Sequence, residues 1–159
     1  MKNSLTFFIM ICFIFISCQN KENKKVKADL TFRSVSFASA YGASDEEYNN
    51  LLRDINKSLS ENNSNDDSKK LYQHFRKLKK LNLLKSPYIF LNLGGDSIMT
   101  VYLSENEYNK VKSFRQVDLF KEHKKIVLEL DIEKKDIGIY YSNNIIKISK
   151  VEGKSRSNI

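Results

Sequence analysis

The chain has 159 residues, one domain's worth of material, and its 41% hydrophobic and 29% charged residues suffice to bury a core. One Pro, five Gly and no Trp exclude collagen-like and Pro-rich classes. With 27 Lys and Arg against 19 Asp and Glu, the formal charge is +8, which points to an acidic partner or surface.

Lys2 opens a leader whose residues 5–16 (LTFFIMICFIFI) carry no charge and are apolar apart from Thr6. The run has the length of a signal-peptide core and falls short of the ~20 residues that cross a bilayer. It ends in Phe15-Ile16-Ser17-Cys18, followed by Gln19-Asn20-Lys21. A small residue directly before a cysteine at the end of a short apolar run resembles the lipobox of bacterial lipoprotein precursors. Phe15 stands where that motif more often has Leu. The resemblance implies that residues 1–17 are a signal peptide and that Cys18 becomes the acylated amino terminus, carrying chains such as palmitate. The alternatives are an ordinary cleaved signal, which Phe15 argues against, and an uncleaved span, which the polar stretch from Gln19 argues against.

If so, Cys12 leaves with the leader and Cys18 holds lipid, so the mature chain has no thiol for a disulfide, a metal or a nucleophile. Two or three acyl chains, at ~0.8 kcal/mol per buried CH₂, would hold the protein on a membrane essentially permanently. Without Lys2 the 27 basic residues become 26 against 19 acidic, a charge of +7. An exported basic protein rarely meets nucleic acid, so the expected partner is an anionic polysaccharide, a lipid headgroup or an acidic protein. The stretch FFIMICFIFISCQNKENKK is similar to leaders of spirochaetal outer-surface lipoproteins, and leaders of Bacteroidota lipoproteins are similar too. The spirochaetal likeness implies an outer-membrane, cell-surface location and contact with host molecules; the periplasmic side stays open.

Residues 18–28 read as the lipidated cysteine and a flexible, Lys- and Asn-rich tether. A single folded domain is expected over 29–152, with a polar tail at 153–159. Its first strand is expected at 30–37. Ser44-Asp45-Glu46-Glu47 is a capping box, and behind it Tyr48, Leu51, Leu52, Ile55 and Leu59 share one helical face. Residues 61–67 form a polar loop whose Asp67 caps a second helix with a Leu71/Phe75/Leu78 stripe, ending before Pro87. From there the period changes from 3.6 to 2. Strands at 88–93 and 97–103 flank a Gly94-Gly95-Asp96 turn, and Ser104-Glu105-Asn106-Glu107 opens a short helix reaching about Val111. After a less regular stretch, Ile126, Leu128, Leu130 and Ile132 share one strand face. A turn at 133–136, a strand at 137–142, a turn at Asn143-Asn144 and a strand at 145–151 complete the pattern.

This order predicts an α+β domain: an antiparallel sheet of about five or six strands with two main helices on one face. The alternative is a small OB-like or SH3-like barrel with added helices, since about five short strands suffice to close one.

Candidate chemistry is sparse. His74 and His123 lack metal-ligand spacing and read as partly exposed; no HExxH, GxSxG or phosphate loop is present. Paired carboxylates are conceivable from Asp96, Asp118, Asp131 and Asp136, of which Asp96 in a hairpin and Asp131 on an exposed strand face sit where solvated carboxylates normally lie. No metal and no cofactor are expected. The most informative surface is the second helix, where Lys69, Gln73, Arg76 and Lys80, flanked by Lys70 and Lys77, make a basic stripe opposite the core stripe. Clustered cations of this kind suit sulfated or phosphorylated polymers or anionic headgroups, although a charged outer face is also what a surface helix normally shows. Tyr140 and Tyr141 point to opposite strand faces, so one is expected to be exposed. The expected role is non-enzymatic binding by a lipid-anchored envelope or surface protein. The alternatives are a periplasm-facing enzyme or inhibitor acting on envelope polymers, and a structural envelope-assembly subunit.

Overall fold

The computed structural model describes residues 23–31, 43–60, 66–95 and 97–153. The leader, Cys18, residues 32–37 of the expected first strand, the loop at 61–65, Asp96 and the tail beyond Gly153 lie outside the described residues.

Five strands close into a small barrel: β1 (Asn23–Thr31), β2 (Tyr88–Asn92), β3 (Ile98–Leu103), β4 (Lys124–Asp136) and β5 (Ile139–Glu152). Their order is β1-β2-β3-β5-β4, with β4 returning to β1. All neighbours are antiparallel except β3 and β5, which run parallel through Val101↔Tyr140 to Leu103↔Ser142. The wholly antiparallel sheet is therefore corrected to a mixed one, and it closes as in the barrel alternative. Helices α1 (Asp45–Ser60) and α2 (Asp66–Lys80) fall between β1 and β2; α3 (Glu105–Val111) and α4 (Gln116–Lys121) fall between β3 and β4.

Alternation fills the barrel. Ala28 and Leu30, Ile89 and Leu91, Val101 and Leu103, and Ile126, Leu128, Leu130 and Ile132 all point inward into one core cluster. Val111 and Leu119, from α3 and α4, join it with Tyr108 and Phe114 packed alongside. These helices sit where β3 ends and β4 begins, so they plug that end. A second cluster lies on the outer face: Tyr102 and Ile139 meet Tyr48 of α1, Phe75 and Leu78 of α2, and Leu83 and Leu84.

Several expectations shift. The presumed tether is already β1 from Asn23, seven residues before the expected strand, because Lys24 to Asp29 pair with Ile132 to Val127 of β4. In α1 the capping box forms as expected: Glu47 N donates to Ser44 Oγ at 3.2 Å and Ser44 N donates to Glu47 Oε2 at 2.7 Å. The Ser44 amide first, then the Ser44 hydroxyl donating at 3.0 Å, hold the Glu47 carboxyl below its ordinary value. Tyr48 and Leu52 pack inward, but Leu51 stays exposed; the side chains of Ile55 and Leu59 are outside the described set. Helix α2 begins at Asp66, so Asp67 lies within its first turn and faces the helix dipole instead of capping it.

The Gly94-Gly95 turn is present, with φ of 112° and 59°, values open to glycine and strained for other residues. The stretch read as irregular holds α4. The expected turn at 133–136 is strand: β4 continues to Asp136, which pairs with Ile139 across a turn at Ile137 and Gly138. The expected turn at Asn143-Asn144 is also strand. There β5 carries a register shift, since Lys147 pairs with Glu129 but Ile145 with Leu130.

Side chains stabilise that irregularity. Ser142 Oγ accepts from Asn144 N at 3.3 Å, and Asn144 Nδ2 donates to Asp131 Oδ2 at 2.7 Å. Ile145 N donates to Glu107 Oε2 at 2.7 Å. The Ser104–Glu107 spacing is that of a second capping box, in which Glu107 would reach back to the Ser104 amide. Only half of that box forms, with Glu107 N donating to Ser104 Oγ at 3.4 Å, while the carboxylate serves β5 and accepts from Lys110 Nζ at 2.7 Å. Ser104 N donates to the Ser142 carbonyl instead.

Candidate functional site

The end of the barrel opposite α3 and α4 is built differently. Register places the start of β1 against the end of β4 (Asn23↔Glu133), and the β2–β3 and β4–β5 turns lie at the same end. Here β1 has left β2, with which it pairs only through Asp29, Leu30 and Thr31. A cleft of about 560 Å³ opens between the first half of β1 and the β2–β3 hairpin, a size suited to a small ligand or part of a larger one.

Its floor is apolar: Val26, Met99, Ile132 and Tyr140, with Leu93 at the lip. Its rim is Lys24, Lys25, Lys27 and Lys134. Lys24 sits on the same face of β1 as Val26, Ala28 and Leu30, opposite Ile132. In the phase that fills the barrel lower down with leucine and isoleucine, the mouth presents a lysine. Lys27 pairs with Glu129 at 3.2 Å. Among the described residues no carboxylate stands at ion-pair distance from Lys24, Lys25 or Lys134. Uncompensated ammonium groups over a low-dielectric floor focus a positive potential into the cleft. They can hold an anion whose neighbouring atoms are apolar.

The stripe on α2 lies on the outer face of the barrel, with Lys77 reaching the β4–β5 turn, and is partly neutralised. Lys70 lies 3.7 Å from Asp67, and the Arg76 guanidinium stands 5.9 Å over the Tyr72 ring. Lys77 reaches Asp136 at 3.3 Å. The Ile137 amide first, then Lys77, holds the Asp136 carboxyl below its ordinary value. Lys69, Gln73 and Lys80 are exposed. Cys18 is outside the described residues.

The other candidates disperse. His74 Nε2 is 3.2 Å from Tyr102 Oη. Burial first, then Lys77, pushes its pKa down, and burial raises that of Tyr102 to about 12. His123 is exposed in a left-handed backbone (φ 52°) closed by Gly153 N on its carbonyl. Asp118 faces Arg115 at 3.8 Å, and Asp131 holds Asn144. Neither Tyr140 nor Tyr141 is fully exposed: Tyr140 floors the cleft, whereas Tyr141 packs on the outer cluster under Lys135. Among the described residues no three His, Cys, Asp or Glu side chains cluster as a metal site.

Sequence reasoning missed Lys24 and Lys134. A signal was present, because Lys24, Val26, Ala28 and Leu30 alternate with Lys25, Lys27 and Asp29, a half-buried strand pattern hidden by its lysines. No family model, no curated protein and no solved structure matches this chain.

Proposed function

We propose that this chain is a lipid-anchored bacterial envelope protein, held at Cys18, whose barrel is a non-enzymatic binding module for an anionic ligand. The ligand enters at the open end of the barrel rather than along α2. The observation that carries this reading is that Lys24 and Lys134, with Lys25 and Lys27 alongside, line a cleft with an apolar floor at the barrel end opposite α3 and α4. The leader and the positive charge support it. So does the architecture: a closed five-stranded barrel is the size of OB-like modules, which bind oligonucleotides and oligosaccharides on strands and end loops. That last support is an analogy of fold alone.

Two measurements test it. Intact mass of the membrane-extracted protein should show acyl chains on Cys18 and a chain starting there. Retention of the mature Cys18→Ser chain on heparin should fall to lower salt when Lys24 and Lys134 are both changed to Glu. It should change little in the Lys69→Glu, Arg76→Glu, Lys80→Glu variant. The opposite ranking moves the site to α2; equal retention of all three rejects both surfaces.

A further inference from the structure

We infer that the open end of the barrel docks on anionic phospholipid headgroups of the membrane that holds the protein, so that the barrel stands with its mouth towards the bilayer. This rests on the anchored reading above and names the ligand class of the same cleft.

The first argument is the length of chain before the barrel. Only Gln19, Asn20, Lys21 and Glu22 separate Cys18 from Asn23, the first residue of β1. Five residue steps span at most about 18 Å even when fully extended. Asn23 lies at the mouth, since it pairs with Glu133 near the end of β4. An acylated Cys18 therefore keeps this end, and no other, next to the headgroups. The 13-residue β4 runs away from it, and at about 3.3 Å per residue it separates the two barrel ends by up to about 40 Å.

Charge is the second argument. Lys24, Lys25 and Lys134 meet the bilayer side without carboxylate partners among the described residues, with Lys27 beside them. Basic residues close to an anionic leaflet are drawn to it within about one Debye length, roughly 8 Å at physiological salt.

The third is where apolar side chains are exposed. Leu93 and Ile98 flank the β2–β3 turn, and Ile137, 80% exposed, tips the β4–β5 turn. Both turns are at the mouth. Apolar tips next to lysines are the composition of an interfacial membrane surface, where alkyl groups enter the headgroup boundary and ammonium groups meet phosphate. Val117 and Phe120 are also exposed, but they belong to α4 at the plugged end.

The test is sedimentation of the mature Cys18→Ser chain with vesicles of phosphatidylglycerol and phosphatidylcholine, against phosphatidylcholine alone. Binding should require the anionic lipid. It should weaken at least tenfold in Lys24→Glu, Lys134→Glu, severalfold in Ile137→Ser, and not at all in Val117→Ser, Phe120→Ser. In the acylated protein, a dye on Ile137→Cys should be quenched by headgroup spin labels more than one on Phe120→Cys; this reading needs no loss of binding. Equal binding to both vesicle types, or stronger quenching at residue 120, overturns the inference. Heparin retention without vesicle binding also overturns it while leaving the anion-binding module standing. Absence of acyl chains on Cys18 in the mass measurement overturns the anchored reading, and with it the orientation.

Discussion

The two ends of this barrel are made from the same strands and the same alternation, yet one is closed and the other is not. At the plugged end, Val111, Leu119, Tyr108 and Phe114 extend the core beyond the strands, and Glu107 ties α3 to β5 through Ile145 N. At the mouth the inward pairs pass from Ala28 and Leu128 to Val26 and Leu130 and then to Lys24 and Ile132. A barrel needs only one apolar plug to exclude water from its centre. Once Leu91, Val101 and Leu128 are sealed from one side, the other end can hold charged side chains, whose stems cover apolar surface while the ammonium groups stay in water.

Four experiments break or sharpen that contrast. Leu128→Ala, in the sealed middle with no exposure, should lower unfolding free energy by about 2–5 kcal/mol through lost burial and a cavity. Denaturant titration reads this directly. Next, Glu107→Ala removes a buried acceptor and strands the Ile145 amide, for a loss of about 2 kcal/mol. Amide exchange should quicken at Ile145 before it does at Leu128.

The mouth should respond in the opposite sense. Replacing Lys24 and Lys134 with Leu extends the apolar floor and removes like-charge repulsion, so stability should hold or rise by about 1 kcal/mol while anion binding is lost. A destabilised variant that still binds would reverse the assignment of the two ends.

The smallest effect is at His74. Its folded pKa lies below its ordinary 6.5, burial being the first cause and Lys77 the second. Just under pH 6.5 the unfolded chain therefore takes up a proton that the folded chain does not. The contribution is present above 6.5 and is lost as pH falls through the folded value. Thermal midpoints measured from pH 7.5 to 5.5 should drop more steeply in the native chain than in His74→Gln. Equal slopes would show that His74 does not contribute.

What could be read in advance follows the range of the interactions. The Ser44–Glu47 box, the Phe75/Leu78 stripe, the Gly94-Gly95 turn and the Ile126-to-Ile132 alternation are set by neighbours a few residues away, and all are present. The errors came where composition masked pairing. Lys24 to Lys27 looked like a tether because nothing local shows that Ile132 to Glu129 lie beside them. Glu133 to Asp136 looked like a turn because charged residues at a barrel mouth need no core. Asn143 and Asn144 looked like a hairpin tip, but β5 runs through, its irregularity stabilised by Ser142, Asp131 and a carboxylate from a different element.

By itself, then, the sequence determined the leader-like start, the basic charge, most helices and strands and the inward residues of β4, because each depends on short-range periodicity or composition. Only the tertiary structure decided that β3 meets β5 in parallel, that the sheet closes, and that Lys24 and Lys134 face each other's cleft while the α2 lysines do not. Closure joins residues more than a hundred positions apart, such as Asn23 and Glu133. No local rule of alternation or capping contains the energy of that meeting.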